Sequence, residues 1–439
     1  AGPAGLSAAY YLATRGYKPT VFEKSARPGG MMTYGIPSFK LEKTIIDAEI
    51  QVLRELGVEI RCGVEVGRDV TIPQLREQGF LAFYIAIGCQ GGRLPGVPGE
   101  HAAGTDIAVH FLHEALADEN QHMDGRVVVI GGGNVAVDCA RTAVRFGAEA
   151  VSMVCLESRD TMPASKDEIA EAEEEHIEIH TGWGPKELLQ DESGHVTAVV
   201  FKKCLRTIDP ETGKFAPVYD EAETITLPAD HVVFAIGQAI EWGGLLKDTK
   251  VTFHRGNYPV ADPLTYQTAE ADIFVGGDVY HGPKFVIDAI EEGKCAAESL
   301  HRYVHKGASL TIGRNRRDFY ELDKTNLALG DYDRAPRQAA GMDDAIDAHR
   351  SFRDAHLTLT EAQVKTETAR CLGCGASVVD PNKCIGCGVC TTKCEFDAIH
   401  LHRDLPECST MVRSEDKFKA ILPYMVKREV KIRFGKKDK

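Results

Sequence analysis

No run of eighteen apolar residues occurs in the 439-residue chain, so no segment is long and apolar enough to cross a bilayer as a helix. A basic excess is missing too. The 51 Lys and Arg are outnumbered by 65 Asp and Glu, and the net charge of −14 argues against a general nucleic-acid binder, which needs a basic face. No H-E-x-x-H run or triad signature suggests hydrolysis through zinc or a nucleophile. Low-complexity segments are absent. What is present is ordinary for a soluble globular protein, with 43% hydrophobic and 26% charged residues. The length accommodates about two to four domains. One stretch opposes the acidic balance: the closing KREVKIRFGKKDK holds seven Lys or Arg against two acids. Such a run is a solvated tail or, less commonly, a docking strip for an acidic partner.

The cysteines are unevenly spread. Six of the thirteen (62, 89, 139, 155, 204 and 295) are scattered, while seven fall between 371 and 408. Isolated cysteines among apolar neighbours behave as small buried hydrophobes. Clustered CxxC spacings in a chain of this size point to metal rather than a secreted disulfide framework, so a reducing compartment, the cytoplasm, is expected.

The opening AGPAGLSAAYYLATRGYKPTVFEK reads as a glycine-rich turn, a helix, a turn at Gly16 and a strand over Lys18–Glu23. Dinucleotide-binding turns follow G-x-G-x-x-G after a strand, because glycine permits the tight turn, close approach to pyrophosphate and helix–strand packing. Gly2 and Gly5 fit the second and third glycines, and the first glycine with its strand is expected before Ala1. Glu23 stands where a carboxylate accepts from a ribose hydroxyl. Alone, the same turn also serves as a tight strand-to-helix connection without any ligand.

A second copy is intact. In RVVVIGGGNVAVDCARTAVRFGAEAVSMVCLESRD the apolar strand Val127–Ile130 runs into Gly131, Gly133 and Ala136, then a helix, then a strand Ala150–Leu156 closed by Glu157. Two fingerprints, each with a terminal acid, support one another. In each, pyrophosphate would rest on backbone N–H groups at a helix N-terminus. No other internal repeat is visible.

Two apolar β runs ending in Ile-Gly, AFYIAIG (82–88) and HVVFAIGQ (231–238), flank the second copy. Later, ADIFVGGDVYHGPKFVIDAIEEGKCAAESLHRYV predicts a strand, a Gly-Gly-Asp turn and a helix from about Pro283. Asp278 at that turn can accept from a polyol, and the helix start can stabilise negative charge on a ring system. Between the copies, MPASKDEIAEAEEEHIEI predicts a helix with Ser165 as N-cap and Glu168 completing a capping box, its acids on a solvated face. Residues 307–365 are charged and poor in strands, and read as a crossover with a short helix around Thr360–Ala369.

Cys384, Cys387, Cys390 and Cys394 follow C-x2-C-x2-C-x3-C. In this bacterial ferredoxin spacing the first three thiolates hold one 4Fe–4S cluster and the fourth ligates a neighbour. Glu395 stands where ferredoxins usually place proline. Cys371 and Cys374 form another CxxC pair upstream, and Cys408 follows downstream. Two clusters need about eight ligands, one more than the segment's cysteines. One cluster is expected and a second favoured, its last ligand being another residue type or a partner's. A zinc ribbon from Cys371, Cys374, Cys384 and Cys387 is the alternative, and it leaves Cys390 and Cys394 idle.

Taken together, ARPGGMMTYGIPSFKLEK (26–43), GGGNVAVDCARTAVRFGA (131–148), MPAS (162–165), AIGQ (235–238) and GGDVYHGPKFVIDAIEEGKCAAESLHRYV (276–304) carry a family likeness. The chain resembles the small subunit of NAD(P)H-dependent glutamate synthase and its relatives over about residues 1–305. The resemblance implies an α/β fold of two Rossmann-like three-layer dinucleotide-binding domains, one inserted in the other. An FAD domain would occupy 1–108 and 235–306, and a nicotinamide-nucleotide domain 109–234. Gly2, Gly5, Glu23, Gly29, Gly30 and Asp278 would face FAD, while Gly131, Gly133, Asn134 and Glu157 would face the nicotinamide nucleotide. Behind them, 307–365 reads as the crossover and 366–439 as a small ferredoxin-like iron–sulfur domain with a basic tail.

Three departures from the family bear on function. Members preferring NADPH carry a tyrosine–arginine–arginine run where this chain reads Cys155, Leu156, Glu157. A carboxylate there accepts from the ribose hydroxyl of NAD and repels the phosphate of NADP, so NADH is expected over NADPH, although Arg159 stands nearby. Glutamate synthase small subunits carry iron–sulfur cysteines at the N-terminus, not the C-terminus. Flavin disulfide reductases place a cysteine pair beside the flavin, but here that region reads GGMMTYGIP and Cys89 stands alone. Electrons leaving the flavin then need another acceptor. The expected function is an NADH-oxidising subunit passing electrons through FAD and 4Fe–4S clusters to a redox partner in a larger complex, with no catalytic side chain required. The alternatives are an NADPH-linked glutamate synthase subunit, a flavoprotein acting on a small molecule, and a zinc-stabilised interaction protein.

Overall fold

The computed structural model describes residues 1–254, 256–314, 335–343, 345–347, 349–371, 379, 384–394, 399–402 and 412–434. The chain divides into two units, Ala1–Thr366 and Glu367–Lys439.

The first unit is organised by a five-stranded parallel sheet in the order Thr105–Ile107, His231–Phe234, Arg126–Ile130, Ala150–Cys155, Glu178–Thr181. Parallel strands covered on both faces need apolar residues at every position, and Val127, Val128, Val129 and Ile130 are at most 2% exposed. Val127 and Val129 pack with the helices Ala108–Ala117 and Asn134–Arg145 through Ala115, Val137 and Ala140. Val128 and Ile130 face Val199 and Phe201 of an antiparallel sheet formed by Trp183–Gln190, Val196–Ile208 and Phe215–Pro228. The result is three layers.

Shorter strands come from the two ends of the unit. Thr20–Glu23 pairs in parallel with Glu59–Cys62, and Phe83–Ile85 with Ile273–Val275, so the chain leaves this layer, builds the five-stranded sheet and returns. The opening helix Pro3–Ala13 lies against the closing helix Val286–Val304. Gly293 makes that approach possible, since a Cβ there would sit 2.2 Å from the Ala4 carbonyl oxygen. The closing helix begins three residues later than Pro283. A separate turn of helix, Asp278–His281, comes first and ends at Gly282 with φ +83°, a conformation that stops a helix.

The helix Lys166–Glu174 bears out the expected solvated face only in part: Asp167, Glu173 and Glu174 are exposed, while other acids turn inward. Ser165 does cap it, accepting from the Glu168 N–H at 3.3 Å, but the Glu168 carboxylate reaches Lys40 instead of closing the box. Glu175, 7% exposed, accepts from Arg141 and Arg145 at 2.8 and 2.7 Å, and Glu171 takes Arg141 as well. Both guanidinium groups lie over the Phe39 ring, at 4.8 and 3.7 Å from its centroid. Two buried cations on the neighbouring helix need acceptors, and that need turns the acids inward.

The stretch after 307 also adds to this core. Phe352, 8% exposed, packs against Phe39 and Phe146 with ring centroids 6.1 and 5.5 Å away, and the Ser351 carbonyl accepts from Arg145 at 3.0 Å. Glu361–Ala369 is helical, capped by the Thr360 hydroxyl.

In the second unit the described helices are Val389–Lys393 and Lys417–Phe434, and no described residue is buried. Among the described residues of the whole chain, no helix is long and apolar enough to cross a membrane.

Candidate functional site

Gly2 caps the opening helix in extended conformation, and Gly5 lies in its first turn, with Ala86 3.7 Å from where a Cβ would stand. A second loop meets this turn. Gly30 has φ +56°, and a Cβ on it would lie 2.7 Å from Gly2 Cα; on Gly29, at φ +121°, it would lie 1.9 Å from Thr33 Oγ1. Neither position admits a side chain, so two backbones form a thin wall. Glu23 ends its strand half-buried and accepts from the Ser25 N–H at 2.8 Å. From the far end of the unit comes Asp278, whose carboxylate accepts from the Lys284 N–H at 3.3 Å and whose pKa is raised by burial.

Gly2, Gly5, Glu23, Gly30 and Asp278 line one cavity of about 670 Å³; Gly29 stands behind its wall and does not line it. Tyr84 also lines the cavity, and its buried hydroxyl has no hydrogen-bond partner. A cradle that any side chain would fill, together with an unpartnered hydroxyl, fits a dinucleotide such as FAD. Cys89 is 1% exposed, its thiol donates to the Asp278 carbonyl at 3.4 Å, and burial pushes its pKa up to about 12. It is a packed thiol without a partner for disulfide exchange.

The second turn is held by backbone and loop contacts on two sides. Gly131 has φ +150°, and a Cβ there would lie 2.4 Å from the Ala235 carbonyl oxygen; Gly133 caps the helix Asn134–Arg145. The MPAS loop clasps this turn: Ser165 N–H donates to Asn134 Oδ1 at 2.9 Å, and Ala164 N–H to the Gly132 carbonyl at 3.0 Å. The NH₂ end of the Asn134 amide is left as its donor. Glu157 lies half-buried beside the turn, with Oε2 3.1 Å from the Cβ position of Gly132. Arg159 is held by Glu173 at 2.6 Å.

Sequence reasoning passed over Asp138. It lines the same cavity, is 6% exposed and pairs with Lys40 at 2.7 Å, and Lys40 also meets Glu168. Burial pushes Asp138 up to about 6 against the pull of Lys40. The signal was there: a carboxylate inside the apolar run Val135–Cys139 needs a partner.

In the second unit Cys371, Cys384, Cys387 and Cys390 are exposed and Cys394 is half-buried, while Cys374 and Cys408 lie outside the described residues. Gly386 and Gly388, at φ +67° and +76°, reverse the chain on either side of Cys387. Among the described residues no three such ligands are gathered around one point. Sites of this kind close on the metal. The donor set itself, soft thiolates at ferredoxin spacing, fits an iron–sulfur cluster.

Comparison with known proteins agrees with this chemistry. A family model described as pyridine nucleotide-disulphide oxidoreductase matches residues 1–293, and one described as 4Fe-4S binding domain matches residues 377–400. The chain is 35% identical over 382 residues to the NADP(+)-dependent formate dehydrogenase subunit beta of Moorella thermoacetica, covering 85% of this chain and 53% of that protein. It therefore spans about half the length of that relative. Glutamate synthase (NADPH) small chain from Azospirillum brasilense is 33% identical, over 71% of this chain and 67% of its own length. The NAD-dependent dihydropyrimidine dehydrogenase subunit PreT of Escherichia coli O157:H7 is 34% identical, with coverages of 70% and 68%. Among solved structures, thioredoxin reductase from Lactococcus lactis shares the fold, with a TM-score of 0.53 at 21% identity over 69% of this chain and 96% of that one. The match over residues 1–293 covers more than half of the chain. This chain belongs to the pyridine nucleotide-disulphide oxidoreductase family and carries a 4Fe-4S binding domain behind it.

Proposed function

We propose that this chain is the NADH-oxidising subunit of a larger complex, taking electrons from NADH and delivering them through FAD and one or two 4Fe–4S clusters to a partner protein. One observation carries the reading: a dinucleotide cavity with no cysteine pair beside it shares a chain with a ferredoxin-spaced run of thiols. FAD, when bound, would accept hydride from the nicotinamide and release electrons singly.

Around it, Gly2 and Gly5 would open the helix N–H groups to its pyrophosphate, with Gly29 and Gly30 keeping the opposite wall thin. Glu23 would accept from its ribose and Asp278 from its polyol chain. For the nicotinamide nucleotide, Gly131 and Gly133 leave the backbone bare, the Asn134 amide donates, and Glu157 meets the adenine ribose. Glu157 supports NADH, because a carboxylate repels the phosphate of NADPH; Arg159 would have to leave Glu173 to offset that repulsion. Cys384, Cys387 and Cys390 would hold one cluster, and Cys371, Cys374, Cys394 and Cys408 a second. The layout follows as an FAD domain over 1–108 and 235–306, a nicotinamide domain over 109–234 and a ferredoxin-like domain over 366–439. Two of the relatives are named as dehydrogenase subunits, which supports a role dependent on a partner, and the clustered CxxC thiols support a reducing compartment such as the cytoplasm.

The test is anaerobic purification followed by titration with each nucleotide. One FAD per chain should bleach with NADH and more slowly with NADPH, and Cys387→Ser should leave that bleaching intact while stopping transfer to the copurified partner. Protein with full iron and no flavin would sink the reading.

A further inference from the structure

One buried acid has no place in that scheme. Glu292 of the closing helix is 6% exposed, yet it does not line the cavity. It stands behind the turn that carries Asp278. One carboxylate oxygen accepts the Gly277 N–H at 2.5 Å, and the other lies 3.4 Å from His281 Nε2. Gly277 has φ +73° and ψ −160°, a conformation open to glycine and to little else, so this turn depends on an outside hold. The adjacent Gly293 presses the same helix against the backbone of Ala4. Neighbouring residues thus tie one helix to both walls of the cavity: Gly293 to the opening helix, Glu292 to the Asp278 turn.

We propose that Glu292 is a positioning residue of the flavin site, holding the Gly277–Asp278 turn, and that its ionisation sets the charge behind that wall; this rests on the FAD reading above. The surroundings explain why the charge can change. Asp278 and Asp288 disfavour a further negative charge, Lys284 favours it, and His281 is the neighbouring imidazole. The phenols of Tyr84, Tyr266 and Tyr280 stand within electrostatic reach. Burial pushes Glu292 up to about 7, the Gly277 N–H and Lys284 pull back, and Asp278 and Asp288 add to the rise.

The sign follows. A carboxyl whose folded pKa is raised binds its proton better in the folded protein, so its contribution is present at low pH and is lost as pH rises through about 7. Above that pH the ionised group also opposes electron gain in front of it. The midpoint potential of the bound flavin should therefore bend with pH near 7.

The experiment uses the full chain as purified, wild type beside Glu292→Gln and Glu292→Leu. It reads FAD retention by fluorescence after dialysis and the flavin midpoint potential on both sides of neutrality. Glu292→Gln keeps an acceptor for the Gly277 N–H, so it should retain FAD but lack the bend. Glu292→Leu leaves that N–H unpaired and should weaken FAD retention about tenfold. If the leucine variant does not fold, the glutamine variant decides by its potential curve. Wild-type retention in Glu292→Leu, or the wild-type bend in Glu292→Gln, overturns the proposal. A wild-type protein without flavin overturns the flavin reading and this proposal with it.

Discussion

The two units of this chain reach order by different routes. In the first, Val129, Phe201, Phe234 and Phe274 are at most 1% exposed, and sheets and helices close on one another's side chains. In the second, no described residue is buried, and the helix Lys417–Phe434 leaves Phe418, Tyr424, Ile432 and Phe434 between 65% and 81% exposed. The first body carries its own apolar core, and its cavity is bounded by Gly2, Gly5 and Gly30. Among its described residues the second unit shows no buried core of its own, so a bound iron–sulfur cluster is expected to supply much of its order.

Iron removal should widen this contrast most. In small metal-held domains the binding free energy is folding free energy, on the order of 10 kcal/mol for structural zinc. Anaerobic chelation, or Cys387→Ser, should expose the segment after residue 366 to protease and amide exchange while the first unit keeps its protection. Equal protection of both units without iron would break the comparison.

Next in size is the buried arginine pair. Glu175→Leu leaves Arg141 and Arg145 without their shared acceptor, and urea denaturation should show a loss of about 3–5 kcal/mol confined to the first unit. Replacing all three charges by apolar residues should recover much of that loss. The same pair gives a pH signature. Burial raises the Glu175 pKa, but bonds from Arg145 and Arg141 outweigh it and leave the group below its usual 4.5. Its stabilisation is therefore present above 4.5 and is lost as pH falls through the lowered value, a loss absent from the apolar variant.

The smallest expected effect changes selectivity and leaves both folds alone. Glu157→Arg should shift the NADH-to-NADPH preference in stopped-flow flavin reduction by about ten- to a hundredfold, the size of one charge-assisted hydrogen bond. Faster reduction of the wild type by NADPH would overturn the assignment of Glu157.

What could be read from the residues alone was whatever is local. A valine run ending in Gly131 and Gly133 specifies strand, turn and helix within a dozen positions, and the Ser165 cap needs its own helix and nothing else. The cysteine spacing is local in the same sense, although it says nothing of how far apart the sulfurs stand before metal arrives. Long-range partnerships stayed hidden. Glu171 and Glu175 look like solvated acids because Arg141 and Arg145 reach them only once two helices pack. Phe352 sits in a charged stretch with no periodicity around it, and its place between Phe39 and Phe146 is set by tertiary packing. Glu292 was masked by its neighbour Glu291, since two adjacent acids on a helix read alike until one is seen to be buried.

Phe352 also bears on timing during synthesis. Phe39 and Phe146 leave the ribosome long before the aromatic ring that joins them. Until then the Arg145 guanidinium lacks the Ser351 carbonyl, and one side of the helix Asn134–Arg145 is open to water. The body assembled from earlier residues waits on a late strap, so a nascent chain halted before residue 352 presents an unfinished hydrophobic face. That face is where a chaperone would bind and where aggregation would start.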